Sequence, residues 1–423
     1  MNKVVKFTVA AAVGLALGST VSGTLLPGWV SVAAAADEGK SEAKPQVSAA
    51  AAKDLQAAQK ALNAKKYDES LAQLDKVKAN PKKSGYDEYV MNEFYVSAYA
   101  AQGKLQQAEA PLEALMTSKY ISADEMKKRV GQAAGLNYQL KNYEKAIEFG
   151  SRAIKDGYAT ASIQTIVAQA YYLKNDYKGT DKFVRGLVDD QIKAGQTPSE
   201  ELIGLGLSSA VKLNDDSAMT RWLEVMVAYH PKENYWQSLL DSMYRGKLTD
   251  KQLLQVYRLS ADVGVLKRAS DYSEMAQLAL DAGSPGEAVA VLTKGFAANV
   301  FTAQADKNRN QHLLDSAKKQ AATDQPTLAK TEAGAANAPT GDRMVGVGIG
   351  YFGYGDYARA AKDISAGLAK STPKDPQDAR LLLGISQLKM GDKDAAVKTF
   401  KSVKGDPVSE RLAALWVIRS KSA

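Results

Sequence analysis

The chain has 423 residues, 45% hydrophobic and 24% charged, a balance that supports a buried core and excludes wholesale disorder. It contains no cysteine, which excludes disulfides, thiolate metal sites and cysteine nucleophiles. The formal net charge is +8, two of those charges (Lys3 and Lys6) fall in the first 36 residues, and the rest is too dilute to mark a nucleic-acid surface.

Residues 1–36 read as a secretory signal peptide. Lys3 and Lys6 form a basic start, Phe7 to Leu26 is apolar or small, and Ala34-Ala35-Ala36 offers a small-x-small cleavage site before Asp37. An uncleaved anchor is the competing reading, because the apolar run is long enough to approach a bilayer span. Gly14, Gly18, Ser19, Thr20 and Gly23 weaken it as an anchor. Cleavage after Ala36 is expected, and no later run is apolar enough to span a membrane. An exported chain without cysteine fits a bacterial periplasm. Residues 37–50 are small and polar, a flexible linker.

From about Ala51 the pattern becomes repetitive. Tyr138 to Ile154 reads as the end of one helix, a tight turn and the start of a second, and Tyr172 to Leu187 repeats it 34 residues later. Aligned on the first residue of the second helix, the units fall at Tyr67, Leu105, Tyr143, Tyr177 and Asp216. Looser ones follow near Thr249 and Pro285, and two more at Tyr357 and Lys393. Gly or Asn in the turns ends one helix in the left-handed conformation, and Asp or Asn caps the next. Three residues beyond each start a small side chain recurs (Ser70, Ala108, Ala146, Thr180, Ala288, Ala360, Ala396), as close helix packing requires. Four further on comes a bulky one: Leu74, Leu112, Val184, Leu223, Leu292, Ile364, Phe400. Gly150 and Met219 depart from this scheme.

With these residues in register, the chain resembles the tetratricopeptide repeat family. Ala168, Tyr171, Tyr177 and Thr180 match its pattern in one unit, Gly348, Tyr351, Tyr357, Ala360 and Pro373 in another, and Ala134, Tyr143, Ala146 and Ala153 in a third. Tyr272 to Ala290 and Ala379 to Phe400 look like a periplasmic proteobacterial branch of such proteins. The resemblance implies an all-α fold, a right-handed α-solenoid of helix-turn-helix repeats. The expected organisation is a main repeat block at 51–302, an irregular helical insert and connector at 303–340, and a terminal block at 341–423 closed by a capping helix near 408–421. In the family the residue after the first helix's aromatic position points into the concave groove. Carried over, the candidate groove residues are Tyr138, Tyr172, Tyr244 and Phe352, with Asn63, Gln139, Gln169 and Arg245 beside them.

Signals of chemistry are weak by comparison. Gly348-Ile-Gly350-Tyr-Phe-Gly353 matches a dinucleotide fingerprint in letters, but no strand precedes it and its glycines sit on repeat positions. His230 and His312 each lack a second ligand at metal spacing. No GxSxG positions a serine nucleophile, and the companions of the SxxK motif are absent. Neither a cofactor nor a metal is expected. The expected function is a non-enzymatic scaffold or adaptor of the cell envelope whose groove binds another protein or an extended peptide, with no nucleic-acid partner. The alternative is an accessory subunit, or a hydrolase on envelope substrates with its site hidden in 303–340.

Overall fold

The computed structural model describes residues 45–370 and 373–422. The expected signal peptide and the first part of the linker lie outside these residues. No strand occurs among the described residues, and the chain divides after Asp215 into two compact helical units. Among the described residues no helix is long and apolar enough to cross a membrane.

The first unit comprises α1 (Ala49–Asn63), α2 (Tyr67–Ala79), α3 (Gly85–Ala101), α4 (Leu105–Thr117), α5 (Ala123–Gln139), α6 (Tyr143–Lys155), α7 (Ala161–Leu173), α8 (Tyr177–Lys193) and α9 (Glu200–Leu213). The second helix of each pair thus begins on the residue that anchors the repeat alignment. Every turn between paired helices is built alike. Lys65, Gly103, Lys141 and Asn175 take positive φ (60°, 68°, 62° and 64°). The following N–H then reaches back five residues: Lys66 to the carbonyl of Ala61, Lys104 to Tyr99, Asn142 to Asn137 and Asp176 to Tyr171, at 2.8–3.0 Å. This is the double-bonded helix ending that satisfies otherwise orphaned carbonyls. Lysine stands at the left-handed position in two of these turns, where Gly or Asn is the residue the sequence pattern leads one to expect. The closing bonds hold it in a conformation that disfavours a side chain by about 1–2 kcal/mol.

Packing follows the small-then-bulky scheme. Ser70, Ala108, Ala146 and Thr180 are at most 2% exposed, and Leu74, Leu112 and Val184 are equally buried one turn on. Gly150, which departs from the bulky position, has a physical reason. A Cβ there would stand 2.2 Å from Val167 Cγ2, so α6 offers bare backbone to α7. Ala146 is enclosed by Tyr138, Ile166 and Ala170. Ala146→Leu should therefore overpack this junction and lower stability by about 1–3 kcal/mol, read from the urea midpoint. Glu148→Ala, an exposed change on the same helix, should shift it little.

Burial separates two layers. The first helices α3, α5, α7 and α9 bury eight, seven, six and eight residues, whereas α2, α4, α6 and α8 bury three each. The first helices are therefore the inner layer, and contacts pass directly along it from α1 to α3, α5 to α7 and α7 to α9.

The second unit comprises α10 (Asp216–Tyr229), α11 (Glu233–Tyr244), α12 (Asp250–Asp262), α13 (Ala269–Asp281), α14 (Pro285–Ala297), α15 (Gln304–Asp324), a 3-10 turn at Gln325–Thr327, α16 (Leu328–Ala336), α17 (Asp342–Gly353), α18 (Tyr357–Lys370), α19 (Pro376–Lys389), α20 (Lys393–Lys401) and α21 (Pro407–Ser422). Within the insert and connector expected at 303–340, the chain is helical as far as Ala336. Glu332 explains the extension, because its carboxylate accepts the Tyr351 hydroxyl at 2.9 Å and Lys362 Nζ at 2.7 Å. The three glycines of the fingerprint-like stretch sit on α17, and each admits a different neighbour. A Cβ at Gly348 would lie 2.5 Å from Ile364, at Gly350 2.8 Å from Leu328, and at Gly353 2.3 Å from Ser284 Oγ. They serve packing.

The last helix does more than cap the final repeat. α21 packs on α19 and α20, but also on α10 and α12, and α12 packs on α19. Arg411 Nε donates to Glu224 at 2.9 Å, Arg419 Nε to Asp262 at 2.8 Å, and Gln255 Nε2 to Asp378 at 2.6 Å. The second unit is thus closed on itself, whereas the main helix contacts of the first, among the described residues, are between near neighbours in the array.

Candidate functional site

The inner layer of the first unit holds five of the eight candidate residues. Asn63 and Gln139 are exposed at the ends of α1 and α5. Tyr138 is only 9% exposed; its hydroxyl donates to Gln169 Oε1 at 2.7 Å, and Gln169 Nε2 donates to Glu201 at 2.8 Å. One hydrogen-bonded line therefore runs across α5, α7 and α9. Burial pushes the Tyr138 pKa up, with Tyr143 and Glu201 adding to it. Tyr172 is half-buried, its ring edge-on to Tyr177 at 5.3 Å. The same clasp joins Tyr138 to Tyr143 at 6.1 Å and Phe352 to Tyr357 at 5.7 Å. An aromatic residue before the turn and a tyrosine five residues later thus pin the corner of three repeats, at a separation that suits edge and tilted ring pairs.

The other three candidates lie in the second unit. Tyr244 is half-buried, 2.8 Å from Ser260 Oγ, with its ring 5.2 Å from Tyr257, and burial pushes its pKa up to about 12. Arg245 is exposed after α11. Phe352 is 9% exposed, under the Arg258 guanidinium at 5.1 Å. Of the eight, Tyr138 and Gln169 are brought into direct contact.

Charge is distributed differently in the two layers of the first unit. On the outer helices Lys145 bridges Glu109 and Glu113 at 2.6 and 2.8 Å, and Glu144 of α6 pairs at 3.2 Å with Lys174, the residue that ends α7. Such solvent-exposed pairs contribute about 0–1 kcal/mol each. On the inner helices the Arg129 guanidinium pairs with Glu93 and donates to Gln132 at 2.7 Å. Burial holds Glu93 above the usual carboxylate range despite Arg129 beside it. Burial, reinforced by Glu93 and Glu125, pushes the Tyr89 pKa up to about 12. The inner layer therefore presents polar and aromatic side chains that are already fixed to one another. That arrangement suits binding, because little side-chain freedom remains to be lost.

No family model and no curated protein matches the chain. Among solved structures it is similar to a tetratricopeptide repeat protein from Parabacteroides merdae, at 14% identity and a TM-score of 0.30, over 78% of this chain and 98% of that one. It is also similar to yeast Tom70, at 12% identity and a TM-score of 0.24, over 88% and 96% of the two chains. A third is the TPR2AB domain of yeast Sti1 in a pHSP90 complex, at 10% identity and a TM-score of 0.24, over 71% and 100%. With scores of this size the fold is read from the chain's own helices and turns.

The second unit also contains buried polar groups that the sequence reading passed over. Arg258 clamps Glu287 through two hydrogen bonds of 2.8 and 2.7 Å, with both side chains at most 9% exposed. Burial works against the Arg258 charge, but Glu287 holds its pKa above the ordinary value. An arginine inside the apolar run Leu254 to Leu259 is the one signal that could have marked it. Asp363, on α18, is fully buried and neither carboxylate oxygen meets a partner. Burial, with Glu332 next and Asp356 adding, pushes its pKa up to about 6, against the opposing pull of Lys362 and Arg359.

The folded chain therefore binds the Asp363 proton more tightly than the unfolded chain, whose carboxyl titrates near 3.8. Stability should fall as pH rises through the window from about 4 to about 6, and stay reduced above it. Asp363→Asn should remove that slope. Its gain at pH 7 should be about 1–2 kcal/mol, less than the full linkage value because the nearby cations are solvated. Urea midpoints from pH 4 to 8 check it; parallel curves for parent and variant would contradict the assignment.

Proposed function

We propose that this chain is a non-enzymatic scaffold of the bacterial cell envelope, exported to the periplasm, that binds another protein or an extended peptide along the inner layer of its first unit. The observation that carries this reading is the layer itself. Consecutive first helices touch, and Tyr138, Gln169 and Glu201 are tied across three of them. Stacked repeats of this kind create extended surfaces for partners. Gln139 and Tyr172 offer an amide and a partly open tyrosine ring at equivalent inner-helix ends, and tyrosine supplies large contact area with few rotatable bonds.

Site-specific photo-crosslinking in cells tests the reading. A crosslinker at Gln139 or Tyr172 should give one adduct of discrete mass in the periplasmic fraction, and a crosslinker at the exposed outer residue Lys178 should not. Equal adducts from both layers would contradict the assignment. In the same fraction the intact mass should begin at Asp37; a mass that includes Met1 to Ala36, recovered with membranes, would overturn the export reading.

A further inference from the structure

Among the described residues, Asp363 is the only acid with both carboxylate oxygens buried and unbonded. Buried polar groups nearly always find partners, so its position in the fold has to account for this one. Arg359, Asp363 and Lys370 stand at i, i+4 and i+11, which sets them on one stripe of α18. α16 is fastened along that side of the helix. Lys370 Nζ donates to the Ala336 carbonyl at 2.7 Å, and Lys362 Nζ donates to Glu332 at 2.7 Å. Arg359 Nη1 donates to the Tyr351 hydroxyl at 3.5 Å, and that hydroxyl donates to Glu332. Otherwise α16 is lightly held: it has nine residues and buries only Leu328 and Ala335, with Leu328 over the bare backbone of Gly350. Elements with few buried contacts are the first to open.

The charged groups that bear on Asp363 are Glu332 of α16 and Asp356, Arg359 and Lys362 of its own helix. On α17, Tyr351 is bonded to Glu332, while Asp342 and the exposed Arg343 lie at the helix start, where Asp342 accepts the Lys374 N–H at 3.0 Å. On α19, Asp378, Arg380 and Lys389 are engaged by Gln255, Gln377 and Asp262. After burial itself, Glu332 most opposes a charge on Asp363.

We propose that Asp363 and α16 form a proton-operated latch: α16 stays docked on α18 while Asp363 is neutral, and loss of that proton releases α16 from an otherwise folded second unit. Ionised, Asp363 sets a second negative charge, cut off from water, beside the carboxylate on which α16 hangs. Lifting α16 admits water to it. Docked, the carboxyl titrates at about 6, and freed it returns toward 3.8. Docking is therefore strongest below about pH 4 and weakens as pH rises to about 6. Each pH unit between the two values changes the docking equilibrium about tenfold, so release grows by about tenfold to a hundredfold across the window. The latch is independent of the partner surface assigned to the first unit.

Single cysteines test the proposal, because the chain has none of its own. Ala335→Cys places a thiol on the buried face of α16 and Ala333→Cys one on its exposed face. The ratio of their labelling rates with dithiodipyridine, in the whole mature chain, cancels the pH dependence of the thiol reaction. That ratio should rise about tenfold or more from pH 4 to pH 7, and should stay flat in an Asp363→Asn background. Where Asp363→Asn alters the helical signal, Asp363→Leu removes the proton at similar volume and should give the same flat profile. Ala279→Cys, buried on α13, should show no comparable rise, which separates local release from unfolding of the whole unit. A flat ratio in the parent, an undiminished rise without the Asp363 carboxyl, or an equal rise at Ala279→Cys would each overturn the proposal.

Discussion

Arg258→Met should lower the stability of the second unit by about 3–5 kcal/mol, because it leaves Glu287 buried without its counter-charge. The pair is fully formed in the fold. Nε and Nη2 of Arg258 each donate to one Glu287 oxygen, and the guanidinium stacks over Phe352. The loss is set mainly by the stranded carboxylate and far less by any net worth of the pair. Arg258→Met with Glu287→Leu should therefore recover most of it, since buried ion pairs are often replaced by apolar groups at little cost. Arg258→Lys should not rescue, because an ammonium cannot make the two-point bond to the carboxylate. Urea unfolding of the parent and the three variants measures this. A single variant as stable as the parent, or a double variant worse than the single, would contradict the buried pairing.

Trp416→Ala should cost about 3–5 kcal/mol, the range for deleting a large buried aromatic side chain. Trp416 is fully buried on α21 and stacks on Phe400 of α20, with centroids 5.9 Å apart and planes 10° from parallel. Gly384 on α19 makes room for the stack, since a Cβ there would lie 2.5 Å from Phe400. The same helix carries Arg411 and Arg419 to α10 and α12. Loss of the tryptophan should thus loosen the closure of the unit as well as the last repeat. Trp416→Phe keeps the stack and removes the unpartnered N–H, so it should lie much nearer the parent. The order parent, Phe, Ala in urea midpoint is the expected result; Ala equal to Phe would show that the ring carries no packing.

The repeat fold was legible because its signals are local. The residues that start second helices, the small residues three positions on and the left-handed turns all lie within one helix-turn-helix. Tyr67, Tyr143, Tyr177 and Tyr357 begin helices where the alignment sets them. Lys65 and Lys141 at positive φ were not legible, since closing hydrogen bonds override residue preference there. The closure of the second unit was not legible either. Arg258 and Glu287 are 29 residues apart, and Arg419 and Asp262 are 157 apart. In a chain with 55 basic and 47 acidic residues, nothing local says which charge meets which. The candidate groove shows the same divide. Repeat phase singles out Tyr138, Tyr172 and Phe352 as equivalent positions, and their surroundings share one feature while differing in burial and polar partners. Those surroundings include a ring clasp with the tyrosine five residues on, which depends on the turn's geometry. Gln169 bridging Tyr138 and Glu201 depends on how successive repeats stack.

The most direct measurement is the affinity of the partner recovered by crosslinking for the whole mature chain and for its Tyr172→Ala and Lys178→Ala variants. If the inner layer of the first unit is the binding surface, Tyr172→Ala should weaken the complex by about 1–3 kcal/mol in a chain that keeps its helical signal, and Lys178→Ala should leave it as it was. Affinity that is lost with Lys178→Ala and kept with Tyr172→Ala would contradict the account.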